Sequence, residues 1–177
     1  MQAYHEIYAE AQQDPEGFWL EQAKRLAWFK QPTVGATLKK NGMADWFPDG
    51  ELNVSYLALD AQVEAGRGEQ TALIYDSPVT GNVQTYRYRE LLDEVAKFAG
   101  VIQSMAVGKG DRVIIYMPMI PQAAIAMLAC ARVGAIHSVV FGGFAAHELA
   151  IRIDDAEPTL LLTASCGIEG KKTLAYK

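Results

Sequence analysis

The sequence predicts an α/β protein with a parallel β-α-β-α-β core, preceded by a helical N-terminal arm and a β-hairpin. Three observations carry this. Apolar runs that read as strands, Arg112-Val113-Ile114-Ile115-Tyr116-Met117, Ile136-His137-Ser138-Val139-Val140 and Thr159-Leu160-Leu161-Leu162-Thr163, alternate with two stretches of helical character. These runs are nearly continuous in Val, Ile and Leu, as in parallel sheets covered on both faces. The breakers fall between the elements and not inside them: Pro118 and Pro121, Gly134, Gly142 and Gly143, and Pro158. Crossovers in such sheets are right-handed, and ligands collect beyond the carboxyl ends of the strands. Those ends fall here near Met117-Pro118, Val140-Phe141-Gly142-Gly143 and residues 163–172.

From the N-terminus, residues 3–30 read as helical, with Asp14-Pro15-Glu16 supplying a cap, a proline at the first helical position and an early acid. Phe18, Trp19, Leu26, Trp28 and Phe29 give this arm apolar area to pack with. Residues 30–50, with Pro32, Gly35, Gly42, Pro48 and Gly50, read as irregular, anchored by Trp46 and Phe47. A helix is expected from 51 to 65, closed by Gly66. Residues 71–75 and 82–86 read as a hairpin around Asp76-Ser77-Pro78-Val79-Thr80-Gly81. Leu91, Leu92, Val95, Phe98, Ala99 and Ile102 recur at helical spacing across 87–105. Gly108-Lys109-Gly110-Asp111 then turns into the first core strand, and helices over 122–133 and 145–156 join the strands. The division expected is 1–66, a helical arm and cap segment, and 67–177, the first part of an α/β domain. Only three core strands precede residue 177, whereas a doubly wound sheet usually has about five or six. The expectation is therefore an incomplete domain, the opening part of something larger.

With 50% hydrophobic and 21% charged residues the chain has the composition of a globular protein, and its 177 residues suit one domain. A formal charge of -5 argues against nucleic acid or an anionic membrane as partner. No apolar run approaches membrane-spanning length, and the first residues lack a basic segment followed by a hydrophobic one, so a cytoplasmic location is expected. Cys130 and Cys166 are too few for a disulfide framework, and no Cys/His spacing suits zinc; no metal site is expected. Cys130 is assigned to the core and Cys166 to a loop with a plain structural role.

Phe141-Gly142-Gly143-Phe144 is the leading candidate site. Two glycines between a strand and a helix let backbone approach a ligand, and the helix start offers N–H groups to an anion. The motif is neither Gly-x-Gly-x-x-Gly nor a P-loop, and a tight strand-to-helix turn is the plain alternative. Gly170-Lys171-Lys172 places two cations beyond the third strand, with solvated surface as the alternative. His137 is expected in the core, His147 at the surface, and Asp154 and Asp155 as solvated carboxylates at a helix end.

Several motifs resemble one family. They are Asp111-Arg112-Val113-Ile114-Ile115-Tyr116-Met117-Pro118-Met119-Ile120-Pro121, Ala126-Met127-Leu128-Ala129-Cys130-Ala131-Arg132-Val133-Gly134-Ala135, and above all His137-Ser138-Val139-Val140-Phe141-Gly142-Gly143-Phe144. Together with Gly50-Glu51-Leu52-Asn53-Val54-Ser55-Tyr56 they resemble the short-chain acyl-CoA synthetases, AMP-forming members of the adenylate-forming superfamily. Thr163-Ala164-Ser165-Cys166-Gly167-Ile168-Glu169 is more similar to the propionyl-CoA than to the acetyl-CoA enzymes. The resemblance implies a two-step ligase: a short-chain carboxylate attacks ATP, with magnesium, to give an acyl-adenylate, and coenzyme A displaces AMP. It implies that Phe141, Gly142 and Gly143 lie against the adenine of coenzyme A, and that Glu169, Gly170, Lys171 and Lys172 face its 3′-phosphate. Acetyl-type enzymes carry arginines in that last stretch. Here Glu169 takes one such place and the lysines fall near the other, and a lysine binds phosphate without a bidentate fork. Ala145 stands where the family often has serine, which removes a helix cap.

The phosphate loop, acyl pocket, ribose-binding acid and adenylation lysine of the family are expected beyond residue 177. The piece is accordingly expected to hold no catalytic residue and no bound cofactor, and to self-associate through an exposed sheet edge. A stand-alone module that binds coenzyme A or docks on a synthetase is the alternative. A nucleotide-binding oxidoreductase half is disfavoured by the missing glycine fingerprint.

Overall fold

A computed structural model describes residues 3–143, 145–170 and 172–176 and divides the chain into two compact units, Met1–Asn53 and Val54–Lys177. In the first unit, helices α1 (Tyr4–Gln13) and α2 (Pro15–Ala23) meet at Asp14, whose carboxylate accepts from the Gly17 N–H at 3.0 Å. A side chain at Gly17 would begin 2.1 Å from the Asp14 Oδ2, so the cap requires glycine there. The helix start expected at Asp14-Pro15-Glu16 is present, but the helical character expected to residue 30 stops at Ala23, where the Trp28 indole N–H donates to the Ala23 carbonyl at 2.8 Å. The segment read as irregular contains a short antiparallel hairpin, β1 (Ala36–Leu38) and β2 (Ala44–Trp46). Its three-residue strands are too short for an alternation to register. Edge-on ring pairs, Trp19 with Trp46 at 5.9 Å and Trp28 with Phe47 at 5.5 Å, fasten the hairpin to its own unit. Asp49 accepts from the hydroxyl of Thr33 at 2.6 Å and from the N–H groups of Thr33 and Val34. These bonds, the Thr33 hydroxyl foremost, hold its carboxyl below the usual range.

The second unit opens with two π-helical turns, Tyr56–Asp60 and Val63–Arg67, and Gly66 takes a φ of 79°. Glu51, expected to begin this helix, instead pairs with Lys30 in an isolated β-bridge. Strands β3 (Thr71–Ser77) and β4 (Asn82–Arg87) form the expected hairpin, followed by α3 (Tyr88–Ser104). The core sheet has the order β6-β5-β7, all parallel, from β5 (Arg112–Met117), β6 (Ile136–Phe141) and β7 (Leu160–Thr163). One face packs against α3 and α4 (Pro121–Val133) through Val95, Ile102, Val113, Ile115, Ala126 and Cys130. Small side chains at Ala123, Ala126 and Ala129 bring α4 close to the sheet, and Gly134, φ 78°, ends it. The other face carries α5 (Ala146–Ala156), whose Leu149 and Ile153 meet Ile114, Tyr116 and Val140. A bidentate pair of Arg132 with Asp60, at 2.7 and 3.0 Å, ties α4 to the first π-turn.

Burial on both faces holds for β5 alone. Val113, Ile114 and Ile115 are fully buried, while β6 leaves Ile136 58% and Val139 47% exposed. His137, expected in the core, is exposed for the same reason: its strand is an edge. His147, Asp154 and Asp155 are exposed as expected. Past the third strand, where an open segment was expected, the chain forms a further antiparallel hairpin, β8 (Cys166–Glu169) and β9 (Lys172–Ala175).

Candidate functional site

Strand register decides where the site lies. Met117 is level with Phe141, and Tyr116 with both Val140 and Thr163, so all three parallel strands end on one side. From that rim leave Pro118, Met119 and Ile120 after β5, Gly142 and Gly143 after β6, and the β8–β9 hairpin after β7. The Ile120 N–H donates to the Pro118 carbonyl at 2.8 Å, a tight turn that seats Pro121 at the first position of α4. Gly142 is buried, and a Cβ there would lie 2.5 Å from the Tyr176 hydroxyl and 2.9 Å from the Met117 carbonyl carbon. Gly143 is exposed and lines a cavity of about 460 Å³. Met119 and Ile120 form one side of it, Gly167, Ile168 and Tyr176 another, and Ser77 and Thr80 of the β3–β4 turn a third.

The structure thus brings the two glycines together with the base of the β8–β9 hairpin. Gly170, with φ 58°, and exposed Lys172 sit at the hairpin turn, one strand length away, about 10 Å at the usual rise. In backbone register Glu169 pairs with Lys172 across that turn. Phe141 ends β6; Phe144 and Lys171 lie outside the described residues. Cys166, expected in a loop, begins β8 and lines the cavity half-buried. Sequence reasoning missed Tyr176, Met119 and the β3–β4 turn. Met119 lies two residues past the expected strand end at Met117, whereas Tyr176 and the β3–β4 turn join the site only through the packing of distant segments.

Chemically, the cavity combines apolar walls, two aromatic residues with hydroxyls (Tyr75 and Tyr176), the hydroxyls of Ser77 and Thr80, and glycine backbone. That mixture suits a flat, partly polar group such as a nucleobase, with a cation nearby on the hairpin for an anionic end. Among the described residues no set of three or more His, Cys, Asp or Glu is placed to hold a metal ion, and no helix is long and apolar enough to cross a membrane.

A parallel sheet covered by helices, with a glycine turn and a cavity at its strand ends, defines an α/β domain of the kind that binds ligands beyond the carboxyl ends of its strands. The family model described as AMP-binding enzyme matches residues 59–176, and that described as acetyl-coenzyme A synthetase N-terminus matches residues 4–58. The chain belongs to the AMP-binding enzyme family. An uncharacterized protein of Pseudomonas aeruginosa is 60% identical over 174 residues, 98% of this chain and 28% of that protein. The mitochondrial acyl-CoA synthetase short-chain family member 3 of Bos taurus is 49% identical over 98% of this chain and 25% of its own length. Acetoacetyl-CoA synthetase from Streptomyces lividans, a solved structure, aligns with a TM-score of 0.87 at 27% identity, covering 99% of this chain and 27% of that one. The chain spans about a quarter of the length of the curated relatives it matches.

Proposed function

We propose that the chain is the N-terminal portion of an AMP-forming ligase that joins a short-chain carboxylate to coenzyme A through an acyl-adenylate, and that its own part is to receive coenzyme A. The observation that carries this reading is the cavity shared by Gly143, Gly167 and Tyr176 at the strand ends. Phe141, Gly142 and Gly143 would meet the adenine, and the turn holding Glu169, Gly170, Lys171 and Lys172 would face the 3′-phosphate. Exposed Lys172 suits that role as a point charge. Propionate is the acid we favour, supported by the likeness of residues 163–169 to the propionyl-CoA enzymes. ATP, magnesium and the carboxylate would be handled by segments outside these residues, so the 177-residue chain is read as non-catalytic; self-association is read from β6 at the end of the sheet order.

Calorimetric titration of the protein with coenzyme A and with its 3′-dephospho form tests the site. Binding that weakens when the 3′-phosphate is lost supports it; equal binding of both forms removes the hairpin turn from the reading. Pyrophosphate exchange into ATP, with propionate or acetate, tests the remainder. No exchange is expected from the 177-residue chain, and robust exchange would overturn its non-catalytic assignment. Coenzyme A binding without exchange in any longer form of the protein would favour a stand-alone binding or docking module.

A further inference from the structure

Tyr176 was not among the residues the sequence singled out, yet it lies against Tyr116, Gly142 and Gly167, from three different strand ends of the candidate site. Its ring lies 4.9 Å from that of Tyr116, tilted by 41°, and Tyr116 is itself only 7% exposed at the centre of the sheet. Its N–H donates to the Ser165 carbonyl at 3.0 Å, which extends the β8–β9 pairing by one step and fixes where the ring emerges. From there the hydroxyl reaches between two glycines. A Cβ at Gly167 would sit 2.1 Å from it, and a Cβ at Gly142 would sit 2.5 Å from it. Both distances are far below van der Waals contact, so the phenol fills the space that side chains at 142 and 167 would need.

We propose that Tyr176 is a positioning residue for the coenzyme A site: held on Tyr116, it sets the turn at Gly142 and so places Gly143 in the cavity, and Gly167 is glycine to admit it. This rests on the coenzyme A reading given above. The physical content is preorganisation. A turn of two glycines has many conformations of its own, and a ligand that must select one binds less tightly than one meeting a turn already set. An aromatic ring anchored on a buried strand restricts that freedom without contributing a contact of its own to the reacting groups.

The test uses Tyr176→Phe, Tyr176→Ala, Gly167→Ala and the Gly167→Ala/Tyr176→Ala double variant. Two readouts are taken: coenzyme A affinity by calorimetry, and the amide NMR resonances of Gly142 and Gly143 without ligand. Loss of the ring should shift both glycine resonances and lower affinity about tenfold or more. Tyr176→Phe keeps the ring and should stay near the parent in both. Gly167→Ala should reproduce the loss by expelling the ring, and the double variant should be no worse than Tyr176→Ala alone. Unchanged glycine resonances in Tyr176→Ala, or fully additive losses in the double variant, overturn the proposal. Should Tyr176→Ala fail to fold, Gly167→Ala and Tyr176→Phe carry the comparison. If the parent protein binds no coenzyme A, the site reading fails, while the glycine resonances still report whether Tyr176 sets the turn.

Discussion

At Gly142 a single missing side chain decides the shape of the site. A methyl there would lie 2.9 Å from the Met117 carbonyl carbon as well as against Tyr176, so backbone and ring would both have to move. Gly142→Ala is expected to destabilise the fold by about 1–3 kcal/mol. It should also abolish coenzyme A binding, measured by urea unfolding and by titration. The two cysteines give a second residue-scale outcome. Burial pushes the Cys130 thiol up to about 11 from 9.0. The folded state thus favours the neutral thiol, and the stability this contributes is complete below pH 9.0 and lost as pH rises through about 11. At pH 8 a disulfide-exchange reagent should modify Cys166 alone, sparing Cys130 until the chain unfolds, and coenzyme A should slow the reaction at Cys166. Rapid labelling of both thiols in the folded protein would contradict the burial. Cys130 was legible in the sequence because it sits in an apolar helix. Tyr176 was not, because its partners Tyr116, Gly142 and Gly167 come from other strands and leave no local pattern.

Elements with a strong period or a clear turn were read correctly, and the shortest strands, fixed by pairing alone, were not. Helix α3 buries Leu91, Val95, Ala99 and Ile102, the spacing visible in the sequence, and β5 is as apolar as it is buried. The hairpins β1–β2 and β8–β9 have strands of three and four residues, too short to show alternation, and they exist through cross-strand hydrogen bonds that only the fold supplies. Helix α5 carries a weakness legible in both. Its N-cap is Ala145, in extended geometry (φ -62°, ψ 156°) with no side-chain cap bond, though its backbone is already placed as a capping residue's. Ala145→Ser should therefore add a hydrogen bond without strain, raising stability by about 1 kcal/mol. The expected rise in melting temperature is about 2–4 °C for a chain of this size. No rise would show that the first turn of α5 already has other partners.

For the whole molecule, the fold class and the candidate glycines were legible because a parallel sheet writes its strands as apolar runs and its connections as breakers. What could not be read was which strand is an edge, since β5 and β6 both read as mainly apolar runs and their order in the sheet is what separates them. That order has a consequence. Among the described residues strand β6 has a neighbour on one side only and leaves Ile136 and Val139 uncovered, which is the arrangement that recruits another strand. A second copy of the chain offers an identical edge, so the 177-residue chain should associate as its concentration rises. Light scattering over a concentration series measures this, and Val139→Lys, which puts a charge beside that edge, should return the chain to monomer with its circular dichroism unchanged. A parent that stays monomeric at high concentration would show that the edge is guarded. Association that persists in Val139→Lys, with β6 pairing disrupted, would place the contact on another surface, because two copies joined through this strand must bring that residue against the partner.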